Sequence, residues 1–413
     1  MIGLGLSLLG GLRGGPSVLS FVSGGYLHPS VALTRASPGT GFSTSGSLIS
    51  YEANLPRFTG ETQGLLVEGA RTNSAINPTG TGAGVYATGW SSISTISGIN
   101  RGAVESGTDE YGAFFAMRFS GAASADGSAR TGFVDTNTVP AALSQIWTSS
   151  VVARIVSGTA TGVRFGANLI ERNAGNAVRF NYGATVPATT TPVRPFCTVP
   201  LAASTVNNVT GELAVSFIGG VSVDFVMRVY HAQMELGPFM SSPILPPPGT
   251  LAASSRAVDV PTCLLTAEQA QQGTLVGTFM IPQANTGVAQ GLAVLSSGAS
   301  VSSRMFMENT AGLSTLRLGR VMSGTTTYSP VAGEYVPGIP FKAAISWDIA
   351  GTSMAVSGGA PVSLSGGIPV VNQLIIGNTN PSSLGFPLCG QVDRLDFYPT
   401  RLSDAQLRSL TAP

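Results

Sequence analysis

Lysine is almost missing from this chain. Among 413 residues Lys342 stands alone beside 20 arginines, the remainder of the 21 basic residues. A phosphate-cradling loop needs Gly-Lys-Ser/Thr, and Lys342 sits in Pro340-Phe341-Lys342-Ala343, which excludes nucleotide hydrolysis of that type. Charge of either sign is scarce, at 10% of residues with a net charge of +1, and no basic cluster forms a nucleic-acid surface. Histidine occurs twice and cysteine three times, at Cys197, Cys263 and Cys389, with no Cys-x-x-Cys pair and no neighbouring histidine. That leaves no recognisable zinc site and suits three buried thiols in a chain assembled in a reducing cytoplasm. No apolar run reaches the roughly 18 residues of a spanning helix, so no membrane insertion is expected. The apolar N-terminus lacks a preceding Lys or Arg, Arg13 follows it, and its glycines weaken any helix, so it reads as a docking arm rather than a signal sequence.

What is abundant is glycine and proline, 53 and 26 residues, with 43% hydrophobic residues and a mean hydropathy of +0.29. Many short strands joined by turns fit this composition, whereas long soluble helices need more Glu and Lys. A chain of this length is expected to divide into two or three domains, each with its own core. Residues 1–63 mix Gly, Ser, Thr and Pro with isolated apolar residues and read as an extended anchoring arm ordered by its neighbours. Its anchoring residues are Ile2, Leu4, Leu6, Leu8 and Leu9, in an alternating pattern suited to a strand edge or groove on another subunit.

From 64 to 237 strand-length apolar segments alternate with Gly, Asn, Pro and Ser clusters, the pattern of an antiparallel sandwich. In residues 224–234, period-two alternation places Phe225, Met227 and Val229 on one face and Arg228 and Tyr230 on the other. Residues 238–261 carry Pro243, Pro246, Pro247 and Pro248 and read as a semi-rigid linker. Residues 262–413 hold further strands between two helix starts, Thr266-Ala267-Glu268-Gln269 and Ser403-Asp404-Ala405-Gln406, each a capping box.

Several short motifs bracket the first strand-rich stretch. Arg35-Ala36-Ser37, Gly46-Ser47-Leu48-Ile49 and Asn54-Leu55-Pro56-Arg57-Phe58 lead into Leu65-Leu66-Val67-Glu68-Gly69-Ala70-Arg71-Thr72-Asn73. Gln233-Met234-Glu235-Leu236-Gly237 and Arg256-Ala257-Val258-Asp259 follow. As a set, over residues 30 to 260, they resemble structural proteins of tailed bacteriophages and gene transfer agents, the head spikes, head fibres and receptor-binding parts that carry a carbohydrate-binding-module-like jelly roll. The chain departs from that pattern at Ser74 and Ala75, where leucines are common, and at Pro243, where tyrosine is common. Residues 390–398 with Leu402, Ser403 and Leu407, and Trp347 within Ala343-Ala344-Ile345-Ser346-Trp347-Asp348, resemble the end and the central strand of concanavalin-like or laminin-G-like sandwiches.

The first resemblance implies a virion component and no enzyme, and the residues agree. Asp109-Glu110 lies in a turn, Asp393 and Asp396 fall on opposite strand faces, and neither makes a pair of carboxylates across one glycosidic bond. No Gly-x-Ser-x-Gly occurs, and only His28 and His231 are available as bases. No cofactor is expected beyond a structural calcium, for which Asp393 and Asp396 are candidates. Sugar binding needs aromatic faces together with amides and guanidinium groups that read hydroxyls, and the candidates are Trp90, Tyr86, Tyr111, Arg118, Asn137 and Trp147. Trp347 reads as core. The expectation is an all-β chain made of an anchoring arm, a jelly roll over 64–237 and a concanavalin-like sandwich over 262–413. It is expected on the surface of a virion or phage-like particle as a pentamer or trimer, joined to capsid proteins by the arm and adhering to host polysaccharide. The alternatives are a scaffold for another adhesin and a capsule depolymerase.

Overall fold

Both capping boxes form as the sequence predicts. Thr266 caps the helix Ala267–Gln271 and Ser403 caps Asp404–Thr411, each with a reciprocal bond from the N3 glutamine. The computed structural model describes residues 18–413 except 83, 285 and 286, and the side chains of 135–138 lie outside that description, as do the arm residues Ile2, Leu4, Leu6, Leu8 and Leu9. Every other regular element is an antiparallel strand, and the chain is all-β.

Two hydrophobic cores form, and their order along the chain is not the expected one. One core joins Phe21, Val22, Val31, Leu33, Leu65 and Val67 to residues from Cys263 to Phe397. The other is built from residues between Ala75 and Met234. The jelly roll is therefore an insertion within the C-terminal sandwich. Strand Leu19–Ser23 pairs with Gly390–Tyr398, Val31–Thr34 with Val260–Leu264, and Gly64–Val67 again with Gly390–Tyr398. Residues 18–63 are thus not a free arm; alternation such as buried Val31 and Leu33 between exposed Ala32 and Thr34 supplies edge strands that the second sandwich needs. Likewise, much of residues 238–261 is packed rather than a free linker, with 247–251 its continuous exposed stretch. Phe239, Ser241, Ser242, Ile244, Arg256 and Asp259 are buried, and Ser254–Arg256 pairs with Arg71–Asn73.

At the crossing between the two cores lies a buried charge cluster made from the sequence motifs. Asp259 receives Arg35 at 3.0 Å and Arg57 through its other oxygen, and that second oxygen also accepts the Glu68 amide at 2.9 Å. Glu68 takes Arg57 at 2.8 Å, Arg256 at 3.1 Å and the Ser242 amide at 2.7 Å. Burial alone would raise the Glu68 carboxyl, but Arg256, Arg57 and Ser242 outweigh it and pull it down to about 2. Burial would lower the Arg57 guanidinium, yet Glu68 and Asp259 hold it above its ordinary value.

Inside the insertion the predicted alternation holds. Phe225, Met227 and Val229 enter the core, while Arg228 and Tyr230 lie on the opposite face, where Tyr230 is fully buried in a small second cluster with Phe114 and Val152. His231 follows, with a positive φ of 48° at a register shift opposite Ser150 and Val152. Its Nε2 lies 2.8 Å from the Tyr111 carbonyl, which only accepts, so Nε2 carries the proton and the buried Nδ1 has no partner. Burial pushes its pKa down to about 4. An unfolded histidine takes a proton near 6.5, so stability from this group is lost as pH falls from about 6.5 to 4. That from Glu68 is lost from about 4.5 to 2. Urea denaturation is expected to show a loss of about 2 kcal/mol between pH 7 and 5, from His231, and about 3 kcal/mol more between pH 5 and 3, over half of it from Glu68. His231→Gln should remove nearly all of the first loss and under half of the second; a first loss unchanged by that substitution refutes the assignment.

Candidate functional site

The insertion has one sheet in the order Ile99–Asp109, Gly112–Ala122, Ser222–Leu236, Ile146–Thr159 and Phe196–Pro200. Its inner face carries Phe115, Met117 and Phe119. Period-two alternation therefore sends Phe114, Ala116, Arg118 and Ser120 outward, beside outward Asp224, Val226, Arg228 and Tyr230. Register sets Ser120 opposite Asp224 and Arg118 opposite Val226. Arg118 then reaches diagonally to grip Asp224 with two bonds, at 2.8 and 2.7 Å.

Around this pair small residues leave an open groove of about 670 Å³, lined among others by Asn100, Gly102, Ser120 and Ser157. A Cβ on Gly102 would meet nothing, whereas Gly158, at φ +89°, sits with its Cα against the Asp224 strand. A second hollow of about 750 Å³ runs along Gly102–Ser106 of the same edge strand. The Arg118 and Asp224 side chains are more than half exposed, at 56% and 57%. Asp224 is held below the ordinary carboxyl range by Arg118, and Arg118 is raised by Asp224.

The far end of the face is closed by a charge cluster. Asp109 accepts Arg154 at 2.9 Å, Arg228 at 2.8 Å, the Tyr230 hydroxyl at 2.8 Å and the Tyr111 amide at 2.9 Å. Burial would raise the Asp109 carboxyl, but these donors outweigh it and hold it low. Glu105 pairs with Arg228 at 2.9 Å and Glu110 with Arg154 at 3.3 Å. Arg228 lies 3.9 Å over the Phe114 ring and Arg154 4.7 Å over Tyr111. A separate two-stranded hairpin, Gly39–Phe42 with Leu48–Tyr51, closes a pocket of about 230 Å³ against Tyr111 and Val152. The face thus offers fixed donors and acceptors over about 20 Å, taken as seven strand residues at ~3.3 Å each.

Of the sequence candidates, Arg118 lines the groove. Tyr86 is half-buried against the core, with Arg101 5.0 Å over its ring, and does not line the groove, while Tyr111 sits in the charge cluster. Trp90 and Trp147 are core residues, 6% and 4% exposed, and present no stacking face. Trp90 packs against Phe115 and Phe133 and donates to the Asn77 carbonyl, while Trp147 donates to Gln145. In both, an apolar indole body gains more from closing a sandwich than from water, and its N–H finds a buried acceptor. The Asn137 side chain lies outside the described residues. Sequence reasoning missed Asp224, Ser120 and Ser157, although the alternation read from Phe225 onward already put Asp224 on the outer face.

Elsewhere, of the calcium candidates, Asp396 accepts Arg394 at 2.6 Å through one oxygen while its other oxygen is buried without a partner, and Asp393, raised by burial, accepts Thr62 at 2.8 Å. No cluster of three or more His, Cys, Asp or Glu that could hold a metal occurs among the described residues. Cys197, Cys263 and Cys389 are free and buried.

No protein-family profile and no curated protein matches the chain. Solved structures do resemble parts of it. The Ruminococcus gnavus IT-sialidase CBM40 bound to alpha2,3 sialyllactose aligns at 18% identity over 35% of this chain and 85% of its own, with a TM-score of 0.29. A Trypanosoma rangeli sialidase in complex with the inhibitor DANA aligns at 10% identity over 75% of this chain and 62% of its own, TM-score 0.29. The heptameric SAP-like pentraxin of Limulus polyphemus aligns at 15% identity over 35% and 70%, TM-score 0.26.

Proposed function

We propose that this chain is an attachment subunit of a phage-like particle that holds host surface polysaccharide without cleaving it. The observation that carries the reading is the open groove on a rigid sheet face, with Arg118 and Asp224 exposed in a fixed bidentate pair and Asn100, Ser120 and Ser157 beside them. Such a lining reads hydroxyl groups by direction, and its side chains are already ordered before a ligand arrives. Binding rather than hydrolysis is favoured because the groove's carboxylate, Asp224, is kept ionised, as is Asp109; a glycosidase's general acid needs a raised pKa. Individual contacts of this kind are solvated, so firm adhesion comes from several copies on one particle, as a trimer or pentamer. The virion setting rests on the motif resemblance.

The test is retention of capsular polysaccharide from candidate host cells, with polymer length followed alongside. Wild-type protein should bind saturably and leave the polymer intact, and Arg118→Ala with Asp224→Ala should weaken binding about 10- to 100-fold, because the charge-assisted bonds that both side chains offer a ligand are lost. Shortened polymer establishes a depolymerase. A scaffold is the second reading, favoured by the edge strand Val178–Pro187, where Val178 and Phe180 are 53% and 46% exposed. Absence of binding by a multivalent display of the protein supports it.

A further inference from the structure

The outer sandwich carries an aromatic row that the groove reading does not use. Across its second sheet, cross-strand partners place Tyr328, Gly319, Phe306, Val294 and Ile375 side by side on the face turned away from the main core, where Phe306, Val294 and Ile375 are buried in a small cluster and Tyr328 alone of the side chains is open. Gly319 is the residue that permits the row, since a Cβ there would lie 2.2 Å from the Phe306 ring. Phe306 therefore lies across the neighbouring strand and meets Tyr328 edge-on, with centroids 6.2 Å apart and planes at 83°.

An arginine flanks each ring. Arg317 stands 3.7 Å over Tyr328 and Arg304 4.9 Å over Phe306. Their charges are not equally satisfied. Arg317 pairs with Glu308 at 2.7 Å, and Glu308 also accepts the Thr379 hydroxyl at 3.3 Å. Arg304 makes no ion pair among the described residues; it donates to the Thr379 carbonyl, and its buried Nε has no partner. The patch therefore carries two cations and one anion, with Tyr328 44% exposed at its rim.

We infer that this row is a second polysaccharide contact and that it takes a sugar residue bearing a carboxylate. The apolar face of the pyranose lies on Tyr328, and the acid faces Arg304, which makes no ion pair of its own among the described residues. Arg317, stacked on the ring and tied to Glu308, holds Tyr328 in place. The inference rests on the reading that the chain binds polysaccharide. It adds that one chain grips a polymer at two places, so acidic polymers long enough to reach both bind with avidity that short fragments lack.

Titration calorimetry with trigalacturonic acid, and with galactotriose as the uncharged probe, tests this on the full chain. Two acidic trisaccharides per chain are expected. Tyr328→Ala with Arg304→Gln should reduce this to one and Arg118→Ala with Asp224→Ala should remove the other, while Tyr328→Phe retains both. Unchanged thermal unfolding confirms that the variants remain folded. A single site indifferent to Tyr328 and Arg304 overturns the inference and leaves the groove reading intact. A single site lost with Tyr328 and Arg304 but untouched at Arg118 and Asp224 overturns the groove reading instead. Equal binding of galactotriose at the row overturns the carboxylate assignment, and no binding of either probe overturns the inference.

Discussion

Replacing Asp259 with alanine is expected to destabilise the outer sandwich by about 3–5 kcal/mol, the cost of removing one partner from a buried ion cluster. Asp259 is fully buried and uses both oxygens, one on Arg35, the other on Arg57 and the Glu68 amide. Its loss leaves three arginines, Arg35, Arg57 and Arg256, around the single carboxylate of Glu68, in a setting where water does not screen them. Because residues before and after the insertion meet here, the change also loosens the crossing of the two cores. Calorimetry should show a lowered transition for the outer sandwich while the insertion, with a core of its own, melts nearly where it did. A single transition at the wild-type temperature would falsify this account.

Gly158→Ala is expected to cost about 2–5 kcal/mol, the sum of ~1–2 for a left-handed non-glycine residue and ~1–3 for overpacking. The residue has φ +89°, and a Cβ would lie 2.1 Å from the Asp224 carbonyl oxygen and 2.7 Å from the Phe225 Cα. Those are backbone atoms, so no side chain can swing aside. The two strands must separate where Asp224 is presented to the groove. Stability measured by denaturant and polysaccharide retention should therefore fall together. Gly102→Ala, in open space on the same groove wall, should leave stability within ~0.5 kcal/mol of wild type. Equal stability of the Gly158 variant sinks the prediction.

Much of the local structure was legible in the residues. The strands Phe341–Asp348 and Gly390–Tyr398 stand where the sequence reads as strand, and both capping boxes stand where capping chemistry placed them. The motifs around Glu68, Arg71, Glu235, Arg256 and Asp259 were conspicuous in the chain, yet they are not a ligand site. Glu68, Arg256 and Asp259 belong to the buried cluster that joins the two cores, and Glu235 and Arg71 lie beside it, 3.8 Å apart. A sequence shows that charges recur in apolar surroundings; whether they face water or one another depends on contacts such as Arg35 to Asp259, 224 residues apart.

The tryptophans carry the same lesson. Trp90 lies among Thr, Gly and Ser, a setting that reads as an exposed loop, but its indole fills the space between Phe115 and Phe133. Conversely, Tyr328 attracts no notice in a threonine-rich segment and is exposed on an edge strand.

By itself the sequence determined an all-β chain, because turn residues at short intervals and period-two alternation act between neighbours a few residues apart. It determined which residues of each strand share a face, Arg228 with Tyr230 and Phe225 with Met227. Only the tertiary structure decided that the jelly roll is inserted in the outer sandwich, that 18–63 supplies edge strands, and that Arg118 meets Asp224. Those outcomes depend on which strands pair across long loops, and pairing is selected by burial of whole sheet faces rather than by any local run of residues.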